Sequence, residues 1–386
     1  MYPNPLKILV ILVLASTVIG AETLSEWLLY IGTYTGGASE GIYQLRLDAK
    51  DGVLENPGLA GKVENPSFLA VHTESPYLFS VGEGVGPSGK KEGLASAFVI
   101  NEANGLLTLV NQQPTVGEGP CHAAVDRAGS HLLIANYGSG SVTVFPIGGD
   151  GRLGPATDLK QHSGSSAHPN RQTGPHTHSV TLDAAGNHVM AADLGLDKIL
   201  VYQYDSQAGV LQSHVPPFVA LAPGAGPRHF AFHPSGRFAY VVNELKSTVT
   251  AFAYDSREGN LEELQTIGTL PSDFIGENYT AEIRVHPSGR FLYVSNRGHD
   301  SITRFSVEEG SGRLTCLGHT PTGGKVPRNF AVSPDGVFLV AANQQTGNVT
   351  AFRINTEDGT LDPTGDPVDV PTPVCVLFYV PHGGIL

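Results

Sequence analysis

Sulfur and indole are scarce in this chain, which has three cysteines, two methionines and one tryptophan in 386 residues. The cysteine count is odd, and Cys121, Cys316 and Cys375 lie far apart, so buried thiols are expected rather than a disulfide framework. Positive charge is short as well. Lysine and arginine number 23 against 36 acidic residues, a net charge of −13. No basic stripe is present to neutralise phosphates, which excludes nucleic acid as a partner. An anionic ligand would have to be drawn in by local arginines against this overall field. The longest apolar stretch, Ile8 to Ala15, ends too early to span a bilayer. Lys7 precedes it and Val18, Gly20 and Ala21 come after it, so residues 1–21 read as a secretory signal peptide. Export to the periplasm or the extracellular space is expected, without stable membrane insertion. No Pro/Ser-rich linker or charge run divides the rest of the chain, so residues 22–386 are expected to form a single domain.

What the chain has is a beat. Pro66, Pro120, Pro175, Pro227, Thr280, Pro327 and Pro373 mark a repeat of about 50 residues, the period of propeller blades. The phrase is clearest from Gly226 to Glu244. Phe230 and Phe232 alternate with smaller residues in one strand, Pro234-Ser235-Gly236 turns the chain, and Phe238 to Val242 form the next strand. Thr248 to Ala253 and Leu261 to Ile267 give a third and a fourth. Helical periodicity is almost absent, so the fold class is all-β. The anchors count seven blades of four antiparallel strands, with six as the alternative because the stretch from Pro66 to Ile100 is the most degraded. Val374 to Val380 is a strand with no partner after it, and Trp27 to Gly32 one with no anchor before it. Pairing of the two is expected to close the ring and remove its open edges.

Hairpin geometry then places a site. A turn centred between Ser235 and Gly236 sets Arg228 opposite Asn243. Equivalent positions carry Ser67, Cys121, His178, Ala281, Arg328 and Val374, all at one mouth of the channel. The position after Arg228 carries His229 in the fifth blade, Glu282 in the sixth and Asn329 in the seventh. At the end of the second strand Asn136, Asn243, Asn296 and Asn343 recur, with Asp193 in the fourth blade. A residue that repeats so often is expected to close a turn. The residue after it does not repeat: Tyr137, Leu194, Glu244, Arg297, Gln344. Departures from a repeat are where function is expected. His178, Arg228, His229, Glu244, Glu282, Arg297 and Arg328 thus share one rim, able to hold an anion and move a proton. A solvated rim of mutually neutralising charges is the competing reading. His176 and His178, two residues apart, could suit zinc with Asp193, but no third ligand stands at metal-like spacing and no metal is expected. His233 and His286 lie in His-Pro-Ser-Gly-Arg turns at the opposite end and are expected to be structural.

Several of these strings together resemble the seven-bladed propeller lactonases, the family of the cycloisomerase-type 6-phosphogluconolactonases and the fungal 3-carboxy-cis,cis-muconate lactonising enzymes. They run from Tyr30-Ile31-Gly32-Thr33-Tyr34-Thr35 through Asn170-Arg171-Gln172 and Gly174-Pro175-His176-Thr177-His178. Gly226-Pro227-Arg228-His229, Val242-Asn243-Glu244, Ala281-Glu282-Ile283-Arg284 and Ser295-Asn296-Arg297-Gly298 continue the likeness. The resemblance implies a metal- and cofactor-independent enzyme that opens or forms a lactone at the channel mouth. His178, Arg228, Glu244 and Arg297 match the family's catalytic residues, with His176 the competing histidine. Substrate contacts are expected from His176, His229, Glu282, Arg328, Arg171, Asn243 and Asn296. The expected partner is a small anionic lactone, opened by water rather than through an acyl-enzyme, and Glu244 or His178 would activate that water. The alternatives are a muconate-type cycloisomerase and a non-catalytic exported binding propeller. With Trp27 the only tryptophan and aromatics mostly at strand positions, no protein partner is evident.

Overall fold

The computed structural model describes residues 25–381, apart from 86–88 and 90. The expected signal peptide lies outside the described residues. Strands group into seven sheets, six of them four-stranded. The seventh blade adds a short fifth strand, Val368–Asp369, beside Asn348–Ile354. Apart from the first, each sheet is a meander in which consecutive antiparallel strands pair with their neighbours, as short turns require. Seven blades, not six, surround the channel.

The first blade is assembled from both ends of the chain. Its inner strand is Pro373–Tyr379, which pairs with Glu26–Thr33 in antiparallel register from Leu28 opposite Tyr379 to Gly32 opposite Cys375. The degraded stretch after Pro66 is a complete second blade, with strands Phe68–Val71, Tyr77–Val85, Lys91–Ile100 and Leu107–Pro114.

Blades pack face to face through apolar side chains from their middle strands. Tyr240, Phe252, Tyr293 and Phe305 are wholly buried, and each such side chain contributes about 2 kcal/mol by leaving water. The tyrosines also carry a polar tip that must find a partner. Tyr240 donates to Gly312 O at 3.0 Å and Tyr293 to Gly359 O at 2.8 Å, tying each blade to the outer turn of the next. At the far end from the mouth, His233 Nε2 meets Gly289 O at 2.9 Å and His286 Nε2 meets Gly336 O at 2.8 Å. Both histidines are inter-blade ties, as their turns implied.

Candidate active site

One irregularity builds the mouth. In the fifth blade Pro227, not Arg228, stands opposite Asn243, and regular pairing resumes only at Phe230 opposite Val241. The expected pairing of Arg228 with Asn243 is therefore corrected by one residue. A β-bulge inserts an extra residue and re-aims the side chains beside it. The same slip falls between Pro120 and His122, Thr177 and Ser179, Thr280 and Ile283, and Pro327 and Asn329. Cys121, His178, Arg228 and Arg328 are thus bulge residues of four inner strands. No alternation pattern announces such an insertion.

A second ring comes from the residue that succeeds the recurrent Asn. The register of the first and second blades extends that ring to Tyr34 and Glu83. Five of its members, Tyr34, Glu83, Tyr137, Glu244 and Arg297, line a cavity of about 520 Å³ at the mouth, with Ser67, Cys121, His178 and Arg328 of the bulge ring. In the second blade Gly82 replaces the Asn. A Cβ there would come within 1.8 Å of Asn65 O, so no side chain fits. Ser67 stands at the mouth as the repeat placed it, while Tyr34, Asn65, Glu83, Tyr137 and Tyr279 were not singled out from sequence. Tyr137 stood in the non-repeating position beside Glu244 and could have been.

Glu244 is the centre of this wall. It is 4% exposed, and three guanidinium groups converge on its carboxylate. Arg171 Nη2 lies 2.7 Å from Oε1, while Arg297 Nη2 at 2.9 Å and Arg228 Nε at 3.1 Å face Oε2. Burial opposes its ionisation, but the Arg297, Arg228 and Arg171 guanidinium charges outweigh it and hold the carboxyl far below the usual carboxylate range. Arg228 is 2% exposed and sits beneath the cavity, on a narrow cleft shared with Tyr34, Ser67, Cys121 and Arg328. Burial, then the charges of Arg297 and Arg328, push its guanidinium down to about 9, still charged at neutral pH. Burial also pushes His178 well below the ordinary imidazole value, with Arg228 and His229 adding to it. His178 is thus held as the neutral imidazole.

Arg171 arrives from a long connection. Residues 162–176 cross from the third blade to the fourth, and Arg171 also donates to Tyr137 Oη at 3.2 Å. Buried Asp197 anchors that span. It accepts from Ser166 Oγ at 2.6 Å and Gln172 Nε2 at 2.7 Å on one side, and from Gly224 N and Gly226 N at 2.6 and 2.7 Å on the other. One carboxylate therefore fixes both the approach of Arg171 and the turn leading into Arg228.

The remaining candidate residues divide between the cavity wall and the framework behind it. Arg328 lines the cavity, donates to Tyr34 Oη at 3.3 Å, and has no carboxylate ion partner among the described residues. His176 lies behind Tyr137, stacked on its ring with centroids 4.6 Å apart, and does not line the cavity. Asn243 and Asn296 are buried framework rather than cavity wall. Each sends its amide to hydroxyls on the next strand, Thr248 and Thr250 at 3.0 Å for Asn243, Ser301 at 3.3 Å and Thr303 at 2.8 Å for Asn296. Asp193 departs from Asn because His162 Nδ1 stands 2.6 Å away, a structural pairing. His229 and Glu282 sit below the floor and bond each other. No cluster of three or more His, Cys, Asp or Glu suited to a metal ion occurs among the described residues. Burial raises the Cys121 thiol to about 12, so it stays protonated. The sequence contains one Gly-x-Ser-x-Gly string, Gly37-Ala38-Ser39-Glu40-Gly41. It joins strand Glu26–Thr33 to strand Gly41–Asp48, and Ser39 Oγ bonds Thr33 Oγ1 at 2.5 Å. A nucleophile elbow joins a strand to a helix, so Ser39 is a turn residue.

Comparison with known proteins now settles the family. The pattern of the seven-bladed β-propeller lactonases matches residues 28–378. This chain belongs to the seven-bladed β-propeller lactonases. It is 41% identical over 358 residues to the 6-phosphogluconolactonase of Bacillus subtilis, covering 92% of this chain and 99% of that protein. It is 33% identical to the 6-phosphogluconolactonase of Formosa agariphila, covering 86% of this chain and 94% of the relative. The solved periplasmic gluconolactonase of Pseudomonas aeruginosa superposes with a TM-score of 0.86 at 36% identity, covering 92% of this chain and 99% of that one. Among the described residues no helix is long and apolar enough to cross a membrane.

Proposed function

We propose that this lactonase opens a sugar lactone of the gluconolactone type by direct attack of water, without a metal. The observation that carries this reading is the buried Glu244 carboxylate held by Arg171, Arg228 and Arg297 beside a neutral His178, on the wall of a cavity large enough for a sugar. The names of the Bacillus and Pseudomonas relatives support the substrate class.

Negative charge develops on the lactone carbonyl oxygen as water adds. Arg297 on the wall and Arg228 at the floor are fixed cations aimed at that charge, and fixed donors of this kind are worth about 10²–10³ in rate each. His178 takes a proton from the attacking water and returns it to the ring oxygen as the acyl C–O bond breaks. The product is an open-chain hydroxy acid. Glu244 acts as the anchor of the guanidinium groups rather than as the base, because a carboxyl so far below its usual range accepts a proton poorly. Arg328 is left to hold an anionic group of the substrate.

The test is hydrolysis of 6-phosphogluconolactone and of unphosphorylated glucono-1,5-lactone by wild type and Glu244→Gln, with spontaneous opening subtracted. Glu244-dependent turnover of either supports the reading, and the ratio of the two rates reports how far Arg328 is used. No rate above background on either would overturn it. We further propose that the chain is exported and loses residues 1–21. The apolar run after Lys7 supports this, as does the periplasmic location in the name of the Pseudomonas relative. Sequencing the mature N-terminus from an extracytoplasmic fraction tests it.

A further inference from the structure

Beneath the cavity floor the channel holds a second polar group, and its members do not line the mouth. Arg228 Nη1 has two partners there, Ala281 O at 2.7 Å and His229 Nε2 at 3.2 Å. A guanidinium has only hydrogens to offer. Nε2 of His229 must therefore present its lone pair, and the ring proton must sit on Nδ1. Nδ1 faces Glu282 Oε2 at 3.0 Å, and an ionised carboxylate can only accept. The tautomer is fixed from both sides.

Glu282 is itself held on all sides. It is 2% exposed. Asn329 Nδ2 donates to Oε2, while Ile283 N at 3.0 Å and Arg284 Nε at 3.4 Å face Oε1. Asn329 accepts in turn from Val376 N at 2.8 Å, on the strand that closes the ring. Burial, with the charges of Arg228 and Arg284 next in weight, keeps the His229 ring neutral.

We propose that Glu282 and His229 are positioning residues of the active site. The carboxylate sets the imidazole tautomer, and the imidazole holds the Arg228 guanidinium in the orientation that meets Glu244. The repeat argues against a merely structural role. The equivalent positions carry Phe68, His122, Ser179, Asn329 and Cys375, so the propeller asks for no acid–imidazole pair here. With the opposite tautomer, an N–H of His229 would face an N–H of Arg228, and Arg228 would lose one of its two fixed acceptors below. A hydrogen bond to a charged group such as the Arg228 guanidinium is worth about 10- to 100-fold.

The kinetic arm of the test rests on the lactonase reading, whereas a spectroscopic arm does not. Long-range ¹H–¹⁵N spectra of wild type at pH 7 should show His229 in the Nδ1–H form, and Glu282→Ala should shift it toward Nε2–H. With a hydrolysed lactone as substrate, His229→Phe should lower kcat about 10- to 100-fold with KM within about threefold. His229→Gln, whose amide oxygen can accept from Arg228, should recover most of that loss. An Nε2–H tautomer in wild type, or a folded His229→Phe enzyme within twofold of wild type, would overturn the proposal. If His229→Phe does not fold, the tautomers of wild type and Glu282→Ala decide alone. If wild type opens no lactone, the functional reading fails while the tautomer still decides this one.

Discussion

Arg297 Nη2 lies 2.9 Å from Glu244 Oε2, across the gap between the sixth and fifth blades. The pair occupies equivalent positions of adjacent repeats, so one blade supplies the carboxylate and its neighbour the guanidinium. Breaking a buried ion pair leaves an uncompensated charge, at a cost of about 3–5 kcal/mol. Glu244→Gln leaves three guanidinium groups without their counter-ion. Its lactone turnover should fall by at least about 10²-fold and its melting temperature by several degrees, read by kinetics and by a thermal melt.

The acid limb of the pH profile should lie low. Burial first, then Arg228 and His229, depress His178 below its ordinary 6.5, so the ring is the free base through neutral pH. Protonation, and with it loss of kcat/KM, sets in only as pH falls through that depressed value. A profile from pH 4 to 8 should stay flat through 6.5. A limb centred at 6.5 or above would contradict His178 as the base.

Arg328 is the cavity arginine without a carboxylate ion partner among the described residues. Charge-assisted contacts to phosphate are worth about 1.5–3 kcal/mol. Arg328→Gln should therefore raise KM for 6-phosphogluconolactone by about tenfold or more, and change KM for glucono-1,5-lactone less than twofold. Equal effects on the two lactones would remove Arg328 from anion binding.

Thiol chemistry should be confined to one residue. Burial pushes Cys121 and Cys375 up to about 12, while Cys316 is exposed. The thiolate is the reactive form. Alkylation of the folded protein at pH 8, read by peptide mass spectrometry, should label Cys316 alone.

Away from the mouth, Asp126 offers a stability test. Burial opposes its ionisation, but hydrogen bonds from His131 and Ser130 prevail and hold the carboxyl at about 2. The unfolded value is about 3.9, so the native state is favoured when the group is ionised. That contribution, about 2 kcal/mol, is complete above pH 4 and is lost as pH falls toward 2. Asp126→Asn should be less stable than wild type at pH 7, and the gap should close near pH 2 in denaturant titrations.

The proline beat, the alternating strands and the orphan strand at Val374 made the ring and its closure legible, because backbone pairing obeys a fixed period. The non-repeating residues Glu244 and Arg297 were legible for the same reason. Two features were not. The bulge that frees Arg228 and His178 is an insertion of one residue, which leaves no mark on alternation and shifted the inferred partner of Asn243 by one. The meeting of Arg171 with Glu244 joins residues 73 apart in sequence through an irregular span, and no periodicity governs such a span. Asp193 shows the converse. It broke the repeat as Glu244 does, yet its reason is His162, a partner visible only in three dimensions.

The closing strand has a consequence for how the protein is made. Glu26–Thr33 waits for its partner until Pro373–Tyr379 has been synthesised, and Val376 then caps Asn329 under the active site. A chain that stops short of residue 376 lacks both the seam of the ring and one support of Glu282. One strand therefore serves both the seam of the ring and the floor of the cavity, so its loss should be felt in stability and in activity together.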